Sequence, residues 1–238
     1  TANGDCWFCN AGDNIVHVYD SELASTKIIT LQETPAAGMF STDLVEMKGG
    51  YKVSKFKLKH NDVLLLYTDG IEEAKRNFRD DNENIIKCKE SGLAEGEIHE
   101  SHTVGDDNEE MGPDRVTQII ESVYAKRKFK LHKFHAWADQ EDFDFDFTTC
   151  EGSAEDAIMA LVSVEKVFRL YRPKEPKPTD RVKVDKNIDE FLHQHFNQYS
   201  EYCSDRQEIQ DDPTHIYYCG VKEDPQYDDL TLIAIKKS

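Results

Sequence analysis

Apolar positions in the first third of the chain come in short bursts with no helical spacing. Cys6–Cys9, Ile15–Tyr19, Lys27–Leu31, Tyr51–Leu58 and Asp62–Thr68 are rich in β-branched and aromatic residues, a composition that fits a pleated, half-buried surface. Asn10-Ala11-Gly12, Pro35-Ala36-Ala37-Gly38, Gly49-Gly50 and His60-Asn61-Asp62 separate them, and these residue types either tolerate positive φ or fix a bend. The regular spacing predicts five strands forming a meander within an antiparallel sheet. Val53, Phe56 and Leu58 do not alternate strictly, which predicts a bulge or an imperfect register there.

The pattern changes at Lys75. Arg79-Asp80-Asp81-Asn82-Glu83-Asn84 and Gly105-Asp106-Asp107-Asn108-Glu109-Glu110 bracket a polar stretch with little periodicity, which predicts a mobile acidic loop from 75 to about 110. Gly112-Pro113-Asp114 then opens a helix, with proline at a first-turn position and an acid at the positive end. Val116, Ile119, Ile120 and Val123 give that helix one apolar face. Phe143–Phe147 alternates aromatic and acidic residues, the pattern of a strand with one buried face. Ser153 is placed to cap a helix from Ala154, with Asp156 not expected to complete a capping box. That helix carries Ile158, Leu161, Val162, Val164 and Phe168. Pro173, Pro176 and Pro178 form a linker, Ile188, Phe191, Leu192, Phe196 and Tyr199 mark another amphipathic helix, and Leu230–Ile235 is a closing strand. There is no internal repeat. The organisation expected is one domain over 1–238, interrupted from about 77 to 187 by a helical and acidic insertion.

Charge narrows the functions. The chain has 38% hydrophobic and 32% charged residues and a net charge of −18. Such a chain cannot neutralise a run of phosphates, which excludes nucleic acid as the partner, and an anionic bilayer repels it equally. The field favours a basic protein surface or a divalent cation. The longest apolar run, Val63–Tyr67, is far short of the ~20 residues that span a bilayer. The domain is therefore expected to be cytoplasmic, any anchoring segment of a longer parent lying upstream. Cys6, Cys9, Cys88, Cys150, Cys203 and Cys219 are scattered. The Cys6–Cys9 pair lies in a strand-like run and has no second pair to complete a zinc site, so reduced thiols are expected. His132 with His135 and His193 with His195 read as ordinary surface or partly buried histidines. The acids near Asp106–Glu110 lack the alternating ligand positions of a calcium loop.

Two acidic motifs carry chemistry. Val63-Leu64-Leu65-Leu66-Tyr67-Thr68-Asp69-Gly70 is a hydrophobic strand that delivers an aspartate at its C-terminal end, with glycine turning the chain at once. A carboxylate held this way suits a hard divalent cation, which demands oxygen ligands in fixed geometry. Taken alone, an Asp-Gly turn closing a hairpin is the commoner reading. Asp228-Asp229-Leu230-Thr231-Leu232 places paired acids directly before the closing strand, and alone it reads as a solvated loop. Together the motifs support one another, and Asp69 and Asp228 lie 159 positions apart, so the fold itself must assemble any shared site.

Leu66-Tyr67-Thr68-Asp69-Gly70-Ile71-Glu72-Glu73-Ala74 resembles the signature of the SpoIIE/RsbU branch of the metal-dependent PPM serine/threonine protein phosphatases. Asp228-Asp229-Leu230-Thr231-Leu232 is similar to that family's last metal-binding motif, and Met111-Gly112-Pro113-Asp114-Arg115-Val116 to its short helix start. Cys9-Asn10-Ala11-Gly12 and Pro35-Ala36-Ala37-Gly38 match its turns. The pieces occur in the family's order over most of the chain. The resemblance implies an α+β fold, an antiparallel β-sandwich flanked by helices, with two Mg²⁺ or Mn²⁺ ions that acidify a bridging water for in-line attack on phosphoserine or phosphothreonine. It implies that Asp69 and Asp228 bind metal, that Gly70 permits close packing beside the metal, and that Asp229 supports the site from outside. Which acid of the 228–229 pair binds stays open at this point, and no side-chain nucleophile is required. The implied substrate is a phosphorylated protein, in this branch a small anti-sigma-factor antagonist, which would place the protein in signal transduction and sigma-factor regulation. The chain departs from the pattern twice. Asp13 stands where the family has histidine, and the aspartate-glycine motif followed by Gly-His-Gly does not precede Asn10. The expectation is a domain incomplete at its N-terminus, with an unfinished bimetallic site and an exposed sheet edge that a second copy would cover. The alternatives are a catalytically silent, phosphatase-like binding module and an acidic scaffold in which the insertion does the work.

Overall fold

Short apolar bursts separated by turn residues do fold as strands here. The computed structural model describes residues 3–9, 15–31, 34, 37–80, 82–87, 107–131, 142–226 and 228–238. In chain order the elements are β1 (Asp5–Cys9), β2 (Ile15–Asp20), β3 (Ser25–Thr30), α1 (Thr42–Met47), β4 (Val53–Lys57), β5 (Val63–Tyr67), β6 (Lys75–Asn77), β7 (Asn108–Glu110), α2 (Gly112–Tyr124) and β8 (Lys128–Leu131). They continue with β9 (Phe143–Asp146), α3 (Ala154–Arg169), β10 (Leu170–Tyr171), β11 (Arg181–Asp185), α4 (Lys186–His195), α5 (Tyr199–Tyr202), β12 (Arg206–Glu208), β13 (His215–Cys219), β14 (Lys222–Glu223) and β15 (Leu232–Lys236). The result is a mixed α+β fold with antiparallel sheets, as expected. No described helix is long and apolar enough to cross a membrane. The turns at Asn10–Gly12 and Pro35–Ala36, together with Asp13, Cys88, His132, His135 and the acidic stretch 88–106, lie outside the described residues.

The chain divides into two compact units, Thr1–Thr68 with Thr231–Ser238, and Asp69–Leu230. In the first unit the strands do not run as a meander. One antiparallel sheet has the order β15-β5-β2-β3, while β1 and β4 pair separately. Val16, Val18 and Leu64 from the larger sheet share one core with Phe8 and Phe56 from the smaller, whose rings stack at 4.7 Å. Burying both inner faces in this one layer makes the two sheets a sandwich. The bulge expected near Val53 is absent, because β1 and β4 keep register over five consecutive pairs from Asp5↔Lys57 to Cys9↔Val53. The alternation is regular once Val53 is given to solvent and Phe56 to the core. Leu58 then bonds through its backbone N–H to the Gly4 carbonyl (2.9 Å). Gly4 has φ of +88°, and a Cβ there would lie 2.0 Å from the Leu58 oxygen, so only glycine allows this approach. The closing strand begins at Leu232, two residues later than expected. Thr231 still pairs with Thr68 by two bonds of 3.0 Å, one to the Thr68 hydroxyl.

In the second unit α2 buries Val116, Ile119, Ile120 and Val123, as its spacing requires. Phe143 and Phe145 are buried on the inner face of β9 and Phe147 is buried just after it, with Phe145 stacked on Phe196 at 5.1 Å. Three expectations are corrected. Asn108–Glu110 is strand, not loop, and pairs with Lys75–Asn77, because Glu109 is a buried counter-ion for two arginines. Asp156 does complete a capping box: its N–H donates to Ser153 Oγ and its carboxylate accepts from the Ser153 N–H, both at 2.9 Å. The amphipathic helix stops at His195, since Phe196 turns extended to bridge Phe145. A further sheet, β11-β13-β12, follows the proline-rich stretch, and its Val182 and Val184 are buried.

Candidate metal centre

The Asp69 turn is fixed by its backbone. The Asp69 carbonyl accepts from the Glu73 N–H (2.8 Å), and the Glu72 and Ala74 carbonyls accept from Gly112 and Met111 at the start of α2 (2.8 Å each). Ile71, Ala74 and Met111 are buried beneath these bonds. The segment resembling a phosphatase signature is thus pinned to the segment resembling that family's helix start. Asp69 is left exposed at the head of the turn.

Gly70 brings the second acidic motif alongside. It is buried, and a Cβ at this position would lie 2.7 Å from the Asp229 carbonyl oxygen and 3.2 Å from its carbonyl carbon. A side chain at position 70 would therefore have to displace the backbone of the 228–229 pair. Asp228 and Asp229 are both exposed. The Asp228 carboxylate accepts from the Asp229 N–H (2.7 Å), and the Asp228 carbonyl accepts from Gln226 Nε2 (2.7 Å).

What holds this second segment has no local signal in the sequence. Arg169, buried at the end of α3, donates to the Asp224 carbonyl (2.7 Å), the Glu223 carboxylate (3.2 Å) and Gln226 Oε1 (3.5 Å), and it pairs with Glu165. Burial opposes its charge, but Glu165, Glu223 and Asp224 outweigh that cost and hold the guanidinium above its usual pKa. Asp224 is buried in turn and accepts from the Asn77 N–H (2.9 Å), Asn77 Nδ2 (2.6 Å) and Arg79. Of these partners only Glu165, at i−4, is a sequence neighbour of Arg169. The others lie more than fifty residues away.

Hard carboxylate oxygens on fixed turns, with a glycine where the backbones approach, fit Mg²⁺ or Mn²⁺ and not a thiolate-seeking metal. Among the described residues no three His, Cys, Asp or Glu side chains cluster as a complete ligand set. The remaining candidates are structural. His195 is buried, donates from Nδ1 to the Asp146 carbonyl (2.8 Å) and faces Cys150 Sγ across 3.9 Å. His193 lies edge-on to Tyr199. Cys150 and Cys203 are pushed up to about 12 by burial, so they are neutral thiols and poor nucleophiles at pH 7. Their folded pKa values exceed the ordinary value of about 8.5. The stability they contribute is therefore complete below pH 8.5 and lost as pH rises towards 12. At pH 8 a thiol reagent is expected to label exposed Cys9 rapidly and to spare Cys150 and Cys203 until urea is added. Rapid native labelling of either buried thiol would contradict this packing.

The family described as Stage II sporulation protein E (SpoIIE) matches residues 1–122, just over half the chain, a span that includes the Asp69 turn and the start of α2. No curated protein and no solved structure matches the chain. With its antiparallel sheets, its Asp69-Gly70 turn and this match, the chain belongs to the SpoIIE-type branch of the PPM phosphatase family.

Proposed function

We propose that this protein takes part in metal-dependent hydrolysis of phosphoserine or phosphothreonine on a protein partner, with Asp69 and Asp228 as ligands of a divalent-cation centre. The observation that carries the reading is Gly70 packed against the Asp229 backbone, which joins two acidic motifs far apart in sequence within one unit. Mg²⁺ or Mn²⁺ bound there would supply an acidified water and neutralise phosphoryl charge. The protein's own part is positional. The bonds from Gly112 and Met111 hold the Asp69 turn, while Arg169 and Gln226 hold the segment carrying Asp228 and Asp229. Asp229 supports the site from outside. A small anti-sigma-factor antagonist is the proposed substrate, which would make the reaction a step in sigma-factor signalling.

The test is Mn²⁺-dependent phosphate release from an aryl phosphate and from a phosphoserine-bearing protein. This chain is compared with a longer one that adds an aspartate-glycine motif upstream. Turnover confined to the longer protein and abolished by chelation is the expected result. No turnover by either overturns the reading and leaves a catalytically silent, phosphatase-like binding module.

A further inference from the structure

Five of the first unit's eight lysines lie in one short stretch, and two of them, Lys55 and Lys57, face outward from β4. This unit holds eight acidic and eight basic residues, so it is formally neutral and the whole net charge of −18 belongs to the second. From Met47 to Asn61 there is no acid, and Lys48, Lys52, Lys55, Lys57 and Lys59 fall within that run. Lys59 pairs with Glu22. Among the described residues, Lys48, Lys52, Lys55 and Lys57 have no carboxylate at ion-pair distance.

The β1–β4 register sets what lies among them. The pairs Cys6↔Phe56 and Phe8↔Ser54 face the core, so Asp5↔Lys57, Trp7↔Lys55 and Cys9↔Val53 face outward. Trp7 is 50% exposed and Val53 62%, and Lys55 Nζ lies 5.2 Å from the centre of the Trp7 ring. Tyr51, also exposed, leads into β4 beside Lys52. An exposed tryptophan with Lys55 over its ring and Lys57 on the same face matches the anatomy of a protein interface, where aromatics anchor and charges stay on the rim.

We propose that this face, centred on Trp7, Val53, Lys55 and Lys57, docks an acidic protein segment that carries apolar side chains. The charges choose among possible occupants. An anionic bilayer or a nucleic acid extends well beyond the patch, to where the first unit's eight acids offset its basic residues, whereas a protein contact covers only ~800 Å² on each side. A closed two-fold contact would set the patch against itself, lysine to lysine, so a second copy is disfavoured. An acidic segment neutralises the unpaired lysines and covers the ring. Docking is read without added metal and therefore stands or falls separately from the phosphatase reading.

The experiment selects binders to the full chain from a random peptide library. Each is then measured by fluorescence anisotropy against wild type, Trp7→Ser, and a combined Lys52→Glu, Lys55→Glu, Lys57→Glu variant. These positions are solvent-exposed, and unchanged circular dichroism confirms folding. Selected peptides are expected to carry Asp or Glu flanking Leu, Ile or Phe. They should lose at least tenfold in affinity on each variant and weaken between about 0.05 and 0.5 M salt, as the Debye length shrinks. Peptides that are basic, or that bind the variants as well as wild type, overturn the proposal. So does lysine-dependent binding seen only with phosphatidylglycerol vesicles, which would make the face a membrane surface. Lysine-dependent self-association in sedimentation would make it a contact between copies.

Discussion

Glu109→Ala is expected to lower the urea midpoint of the second unit sharply. Glu109 is 1% exposed and Arg115 0%. The carboxylate pairs with Arg76 through one oxygen and with Arg115 through the other, at 3.0 Å. Both guanidiniums also lie over the Phe168 ring, 4.5 and 5.2 Å from its centre. Removing Glu109 takes away the carboxylate that two buried cations share, a change that costs about 3–5 kcal/mol against a total stability of about 5–15 kcal/mol. Arg115 keeps its bonds to the Glu110 and Met111 carbonyls, but these satisfy donors without neutralising charge. Glu208→Ala is the control. It deletes the Lys186–Glu208 pair, whose carboxylate is 77% exposed, and solvent screening leaves such a pair worth little. Hydrogen exchange should accelerate in α2 and α3 and at Gly112 and Glu73, because Glu109 sits two residues before the Met111 N–H that helps to hold the Asp69 turn. Equal midpoint shifts in the two variants would show that the buried network does not support this unit.

The same residue shows why the sequence was legible only in part. Glu109 lies in a string of acids, and nothing local distinguishes a buried counter-ion from a solvated loop. Its partners are Arg76, 33 positions earlier, and Arg115 in the next helix. By contrast, Val63–Tyr67 and the apolar stripe of α2 were readable because burial of consecutive or periodic side chains is a local property. The capping box at Ser153 was missed because aspartate stands in the glutamate position, with a side chain that still reaches the Ser153 N–H. The pairing of β1 with β4 spans almost fifty residues and escaped a reading based on neighbours. The acids at 69, 228 and 229 stood out by motif, and the sequence could not show that Gly70 would touch Asp229 or that Arg169 would hold Gln226.

Asp69→Asn is expected to abolish most of the Mn²⁺-dependent turnover while leaving thermal stability unchanged. Asparagine keeps the size of the side chain, and the turn is held by the carbonyl at position 69 and the bonds from Gly112 and Met111. None of these uses the carboxylate. What is lost is one anionic ligand, and several kcal/mol of transition-state stabilisation corresponds to on the order of 10²-fold or more in rate. Manganese affinity, measured by calorimetry in the active protein, should fall in parallel. Gly70→Ala separates ligation from placement. It retains every carboxylate but sets a Cβ 2.7 Å from the Asp229 carbonyl oxygen, so metal affinity should fall without any loss of ligand charge. Comparing Asp228→Asn with Asp229→Asn then identifies which neighbour binds, since the ligand should cost the larger share of both affinity and rate. If Asp69→Asn leaves affinity and turnover intact, the strand-end aspartate is only a turn residue, and the metal centre must be built from other acids.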